Sequence, residues 1–84
     1  MTINPKTIGY SIRMLRNEKG ISQDVLSGFA GIARTHLTMI ENGQKSANFE
    51  TLCKIAEALE LKPSELVQII ERNCSAEMAD HDRR

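Results

Sequence analysis

Aromatic residues are scarce in this sequence, and their scarcity limits the kinds of site that it can build. There is no tryptophan, and the aromatic residues are Tyr10, Phe29 and Phe49. The core must therefore be aliphatic. Because proteins that bind single-stranded nucleic acid stack the bases on exposed aromatic rings, we expect no binding platform of that kind.

Cysteine is also scarce, which bears on metal sites and disulfides. Cys53 and Cys74 lie 21 positions apart, and neither belongs to a CxxC or CxxxC pair. This spacing is not typical of a zinc site, so no metal is expected. We expect two free thiols, with Cys53 a small buried or half-buried helix residue and Cys74 a thiol in a mobile tail.

Long apolar runs are absent as well. Lys6, Arg13 and Arg16 interrupt the first candidate for a signal peptide or a membrane span. The sequence therefore predicts a cytoplasmic protein without a membrane partner. Its 84 residues, 40% of them hydrophobic and 26% charged, are typical of one globular domain.

The charges balance overall but are unevenly distributed. Up to position 48, six basic residues stand against three acidic ones, whereas from position 49 five basic residues stand against eight acidic ones. This asymmetry indicates that the two halves face different partners, although half-charges of this size also arise by chance.

Turn-forming residues divide the chain into five segments, each with helical periodicity. No segment alternates with period two, so we expect no strands. Ser22 and Asn48 are placed to cap the second and fourth helices, and Pro63 suits the first position of the fifth. The breaks fall at Gly20, in the region of residues 28–31, at Asn42-Gly43 and at Lys62-Pro63.

The apolar residues of the fifth segment cover more than one helix face. This is more apolar surface than a terminal helix needs to seal a small core, so we expect the segment to form a homodimer interface. The alternative is that all four residues pack inside one core. The predicted domain is 1–74, followed by a polar, flexible tail over 75–84. The predicted interface residues are Leu66, Val67, Ile69 and Ile70.

The second and third segments are joined only by Gly31-Ile32, which forces two short helices to meet at a steep angle. Residues 21–43 read ISQDVLSGFAGIARTHLTMIENG, which resembles the helix-turn-helix of the Cro/cI-type (XRE-like) family of bacterial and phage repressors. The flanking runs RMLRNEKG and NFETLCKIAEALELKPSEL resemble the family's first, fourth and fifth helices. The resemblance spans about residues 7–70 and implies an all-α, five-helix lambda-repressor-like DNA-binding domain.

The resemblance also implies a function. It points to a sequence-specific, double-stranded DNA-binding transcriptional regulator, either a Cro-like repressor or a restriction–modification controller. Such a protein would act as a homodimer on an inverted-repeat operator through recognition helix 33–42.

Site residues are implied by the same resemblance. The base-contacting residues would be Arg34, Thr35, Thr38 and Met39. The phosphate-contacting residues would be Gln23, His36, Asn42, Gln44, Lys45 and Ser46, with a bystander role as the alternative for His36. Arg34 is the strongest base-reading candidate, because a guanidinium can donate two hydrogen bonds to guanine O6 and N7. Arg16 and Glu41 would form an internal ion pair that joins the first helix to the end of the third.

Three positions depart from the family pattern. Ala33 stands where a serine or threonine usually caps the recognition helix, a loss of about 1 kcal/mol. Ser27 stands where alanine is usual at the crossing of the second and third helices, and Ala47 replaces a common proline.

Two other classes of function are alternatives to DNA binding. The alternative is a protein-interaction module on the same scaffold, such as an antitoxin that binds a toxin or an adaptor that contacts RNA polymerase. The presence of Gln23, Arg34 and Lys45 favours DNA over that reading. An enzyme is not expected, because the sequence has no nucleophile with a base beside it and no glycine-rich phosphate loop. Neither a cofactor nor a small-molecule ligand is expected.

Overall fold

The chain folds into five helices. A computed structural model describes the backbone of residues 3–82 and the side chains of residues 3–76. No strand occurs within that range, so the all-α prediction is confirmed. The helices are α1 (Pro5–Glu18), α2 (Gln23–Ala30), α3 (Arg34–Glu41), α4 (Phe49–Ala58) and α5 (Pro63–Asp82).

Short polar side chains begin most of these helices. Ser22 Oγ accepts a hydrogen bond from Val25 N at 3.1 Å, and Asn48 Oδ1 accepts one from Thr51 N at 2.8 Å, which confirms both predicted caps. Ala33 makes no side-chain cap for α3, because its methyl group cannot accept a hydrogen bond. The chain turns from α2 into α3 at Gly31, whose φ of 70° lies in the left-handed region that glycine adopts without strain.

The core is aliphatic and draws on all five helices. Each fully buried leucine or isoleucine contributes about 1.5–3 kcal/mol relative to an exposed one. In α2, Leu26, Ser27 and Ala30 are buried, whereas Phe29 is 70% exposed. The fully buried leucine and isoleucine side chains are Ile12, Leu26, Leu37, Ile40, Ile55, Leu59 and Leu66.

Helix α5 differs from the prediction in its packing. Leu66 and Ile70 are 0% and 3% exposed and belong to the core, so the prediction that they form a dimer interface is wrong. Of the four predicted interface residues, Val67 and Ile69 are half-buried. Residues 66 and 70 lie one turn apart, and this spacing keeps both side chains on the inward stripe.

Helix α5 also continues beyond the predicted start of the tail. Cys74, expected to be a mobile thiol, is 2% exposed and packs in the core, one turn after Ile70. Asn73 Nδ2 donates to Ser11 Oγ at 2.7 Å and so ties this turn to α1. The helix then extends to Asp82, while positions 83 and 84 lie outside the described residues.

Helix α1 lies unusually close to the end of α3. A Cβ atom at Gly9 would stand 2.6 Å from the carbonyl oxygen of Glu41, and the carbonyl oxygen of Ile40 would be nearer still. Only glycine allows this approach, so Gly9 sets the distance between the two helices.

Within residues 3–82, no helix has both the length and the apolar composition needed to cross a membrane. Among the side chains of residues 3–76, no group of three histidine, cysteine, aspartate or glutamate residues would suit a metal ion.

Candidate nucleic-acid interface

Helix α3 has one buried face and one exposed face. Leu37, Ile40 and Glu41 point into the protein. On the other side, Arg34 and Thr35 are exposed, Thr38 is half-buried and Met39 is exposed. The four residues predicted to contact bases therefore share one outward surface, which we call the α3 face.

Behind the α3 face, Glu41 is the centre of a buried polar network. Its side chain is 0% exposed and that of Arg16 is 13% exposed. Arg16 Nε donates to Glu41 Oε2 at 2.8 Å, and Arg16 Nη2 donates to Glu41 Oε1 at 2.9 Å. A third bond from Arg16 Nη1 reaches Ile21 O at 2.9 Å. The predicted link between α1 and the end of α3 is thus present as a bidentate ion pair, and it also holds the turn before α2.

The network keeps Glu41 ionised. Burial by itself raises the pKa of this carboxyl group, but the hydrogen bonds from Arg16, Gln23 and Arg13 and the charge of Arg16 outweigh it, so the pKa is lowered. The bond to Glu41 likewise raises the pKa of Arg16 against the opposing effect of desolvation. Glu41 therefore acts only as a hydrogen-bond acceptor.

Gln23, the first residue of α2, makes two hydrogen bonds within the protein that the sequence did not predict. Its Nε2 donates to Glu41 Oε1 at 3.0 Å, and its Oε1 accepts from Thr38 Oγ1 at 2.8 Å. The side chain is half-buried and links α2 to the α3 face. Because both ends of the carboxamide are engaged within the protein, only its second Nε2 hydrogen is left for a phosphate.

The sequence reasoning missed Arg13 of α1, whose side chain reaches the C-terminal end of α3. Its Nη2 donates to Asn42 Oδ1 at 2.8 Å and to the carbonyl oxygen of Glu41 at 3.2 Å. Asn42, predicted to contact phosphate, thus has its amide oxygen occupied. The available signal was the i, i+3 spacing of Arg13 and Arg16, which places both side chains on the same side of α1.

A second missed residue is Asp24, which stands beside Arg34. Arg34 Nε lies 3.4 Å from Asp24 Oδ1, with the two side chains 62% and 71% exposed. Such an exposed pair contributes at most about 1 kcal/mol to stability. It engages Nε, so the terminal nitrogens of Arg34 are not used by this contact.

The loop after α3 exposes the remaining predicted phosphate ligands. The backbone N–H groups of Gln44 and Lys45 both donate to Met39 O, at 2.9 and 3.3 Å, and close the helix end. The side chains of Gln44, Lys45 and Ser46 are exposed, while His36 on α3 is half-buried.

Comparison with known proteins identifies related chains. Residues 12–66 match the helix-turn-helix family. An uncharacterised HTH-type transcriptional regulator of Sinorhizobium fredii, y4dJ, is 32% identical over 62 residues, which are 74% of this chain and 80% of y4dJ.

Solved structures are similar as well. The restriction-modification controller protein C.AhdI from Aeromonas hydrophila is 32% identical, with a TM-score of 0.73 over 77% of this chain and 98% of C.AhdI. The clp gene regulator ClgR from Corynebacterium glutamicum has a TM-score of 0.86 over 96% of this chain and 86% of ClgR. At 20% identity, ClgR shows a shared fold.

Proposed function

The chain belongs to the Cro/cI-type helix-turn-helix family of transcriptional regulators, and from this premise we propose that it reads an operator in double-stranded DNA through the α3 face. One observation carries the proposal. The side chains that suit base edges stand together on the outward surface of a helix whose other face is locked into the core. In this fold the exposed face of the third helix enters the major groove.

The chemistry of the α3 face supports direct reading of bases. Arg34 offers two terminal nitrogens that match guanine O6 and N7. Met39 is 41% exposed and suits an apolar contact such as a thymine methyl group. The ion pair of Arg16 and Glu41 holds the helix from behind, so these side chains are presented on a rigid element.

Phosphate contacts would set the register of the helix in the groove. Lys45 is exposed in the loop that follows α3, within the half of the chain that carries the basic excess. Its charge would act on any DNA sequence, because phosphates repeat along every duplex.

We also propose that the regulator acts as a symmetric homodimer on an inverted repeat. Two α3 helices related by a twofold axis would enter major grooves about 34–36 Å apart. Val67 and Ile69 are the half-buried residues of the predicted interface that remain available to a partner. The similarity to C.AhdI over nearly its whole length favours a regulator of the controller type.

Selection of bound duplexes from a randomised DNA pool, at an ionic strength of about 0.15 M, tests this proposal. We expect enrichment of an inverted repeat with half-sites one helical turn apart. Arg34→Ala should alter the enriched sequence, whereas Lys62→Ala, which removes an exposed charge at the start of α5, should leave it unchanged. Retention of DNA without any enriched sequence would refute the proposal.

A further inference from the structure

We infer that Thr38 presents only a hydrogen-bond acceptor and a methyl group to DNA, so that it reads a base amino group, adenine N6 or cytosine N4. The inference rests on the proposed function and deepens it, because it names the base chemistry that one position of the α3 face can read. It follows from the direction of the hydrogen bonds behind Thr38.

Glu41 sets the direction of these hydrogen bonds. This carboxylate is fully buried and ionised, and it accepts two bonds from Arg16. Any further polar group that touches it must donate. The atom of Gln23 that lies 3.0 Å from Glu41 Oε1 is therefore the amide nitrogen, because an amide oxygen there would face a carboxylate oxygen.

The orientation of Gln23 then fixes the hydroxyl of Thr38. With its nitrogen on Glu41, Gln23 turns its oxygen towards Thr38 Oγ1 at 2.8 Å. The carbonyl oxygen of Arg34 is a second acceptor, 3.0 Å from the same Oγ1. Both of these inward neighbours are acceptors, so the single hydroxyl hydrogen is held on the protein side.

The outward side of Thr38 can make only two kinds of contact with a base. The lone-pair side of Oγ1 can accept a hydrogen bond, and the Cγ2 methyl group can make an apolar contact. In the major groove, adenine N6 and cytosine N4 donate, whereas guanine O6 and N7 and thymine O4 accept. A guanine or thymine acceptor opposite Thr38 would gain no hydrogen bond from it.

The test combines protein variants with base analogues in the duplex recovered by selection. Each adenine is replaced in turn by purine and each cytosine by 2-pyrimidinone, which removes one amino group at a time. At one position per half-site, the loss should weaken wild-type binding about threefold to tenfold. Thr38→Val should bind both duplexes equally at that position, because it retains a methyl group but has no acceptor.

Thr38→Ser serves as the matched control, since it keeps the acceptor and both inward bonds. It should remain as sensitive to the missing amino group as the wild type. Urea unfolding of each variant shows that the comparison is made on folded protein.

The outcomes separate this inference from the proposal beneath it. If the wild type binds the selected duplex no better than a scrambled one, the proposed function fails, and reading by Thr38 fails with it. If that preference holds but Thr38→Val keeps the wild-type sensitivity to every amino deletion, only the inference is overturned. It is also overturned if Thr38→Val instead loses sensitivity to removal of a base acceptor, such as N7 in 7-deazaguanine.

Discussion

Replacement of Gly9 by alanine probes the closest contact in the fold. Position 9 lies inside α1, and an added Cβ atom would stand 2.6 Å from the carbonyl oxygen of Glu41. The obstructing atoms belong to the α3 backbone, so no side-chain rotation can relieve the overlap. Helices α1 and α3 would have to move apart.

Two effects of opposite sign determine how much Gly9→Ala changes the free energy of unfolding. Alanine is favoured over glycine inside a helix by about 0.5–1 kcal/mol. An extra carbon in a packed site costs about 1–3 kcal/mol, and contact with backbone atoms places Gly9 at the upper end of that range. We therefore expect a net destabilisation of about 2–2.5 kcal/mol, with Tm falling by about 4–8 °C for each kcal/mol.

Gly28 provides the matched control within the same protein. It lies inside α2, and a Cβ atom added there would meet nothing within 4 Å. Gly28→Ala should therefore stabilise the protein by about 0.4–1 kcal/mol. Urea unfolding of both variants measures the two signs, with m unchanged if the effect lies in the native state. A Gly9→Ala protein as stable as the wild type would refute the packing argument.

Further predictions concern charged residues. Because the pKa of Glu41 is lowered in the folded state, its carboxylate stabilises the fold above the ordinary glutamate value of about 4.3, and this contribution is lost as pH falls through the folded pKa. Glu41→Gln should reduce that loss in urea titrations at several pH values, and an unchanged pH profile would contradict the assignment. Arg16→Ala leaves Glu41 buried with fewer partners and should lower the free energy of unfolding by about 3–5 kcal/mol, measured with denaturant. A change below about 1 kcal/mol is typical of exposed pairs and would show that the pair is not buried in solution. Lys45→Ala should lower the slope of log K against log salt by about one, unlike Lys54→Ala on α4, and equal slopes for the two variants would argue against a phosphate contact.

Local patterns predicted most of the fold. Helix breaks and caps such as Ser22 and Asn48 depend on neighbouring residues alone, so they are readable from sequence. The pair of Arg16 and Glu41 is 25 residues apart and was predicted only through the family resemblance. The burial of Cys74 was not predicted, because it depends on how α5 packs against α1.

The α3 face was predicted in outline but not in its hydrogen bonds. Helical spacing places Arg34 and Thr38 outward, and the structure agrees. Gln23 joins Thr38 to Glu41. This link depends on the angle between α2 and α3, which cannot be read from the spacing of residues in the sequence. The contact of Asp24 with Arg34 crosses between two helices, so sequence neighbours do not reveal it.

Base reading by Arg34 can be tested directly by comparing two proteins on two duplexes. Wild-type protein and Arg34→Ala are titrated against the selected operator and against a scrambled duplex of equal length, at the same salt concentration. We predict that the variant loses about 1–3 kcal/mol of discrimination, roughly 5- to 150-fold, on the operator and much less on the scrambled duplex. An equal loss on both duplexes would show that Arg34 contacts only phosphate and does not read a base.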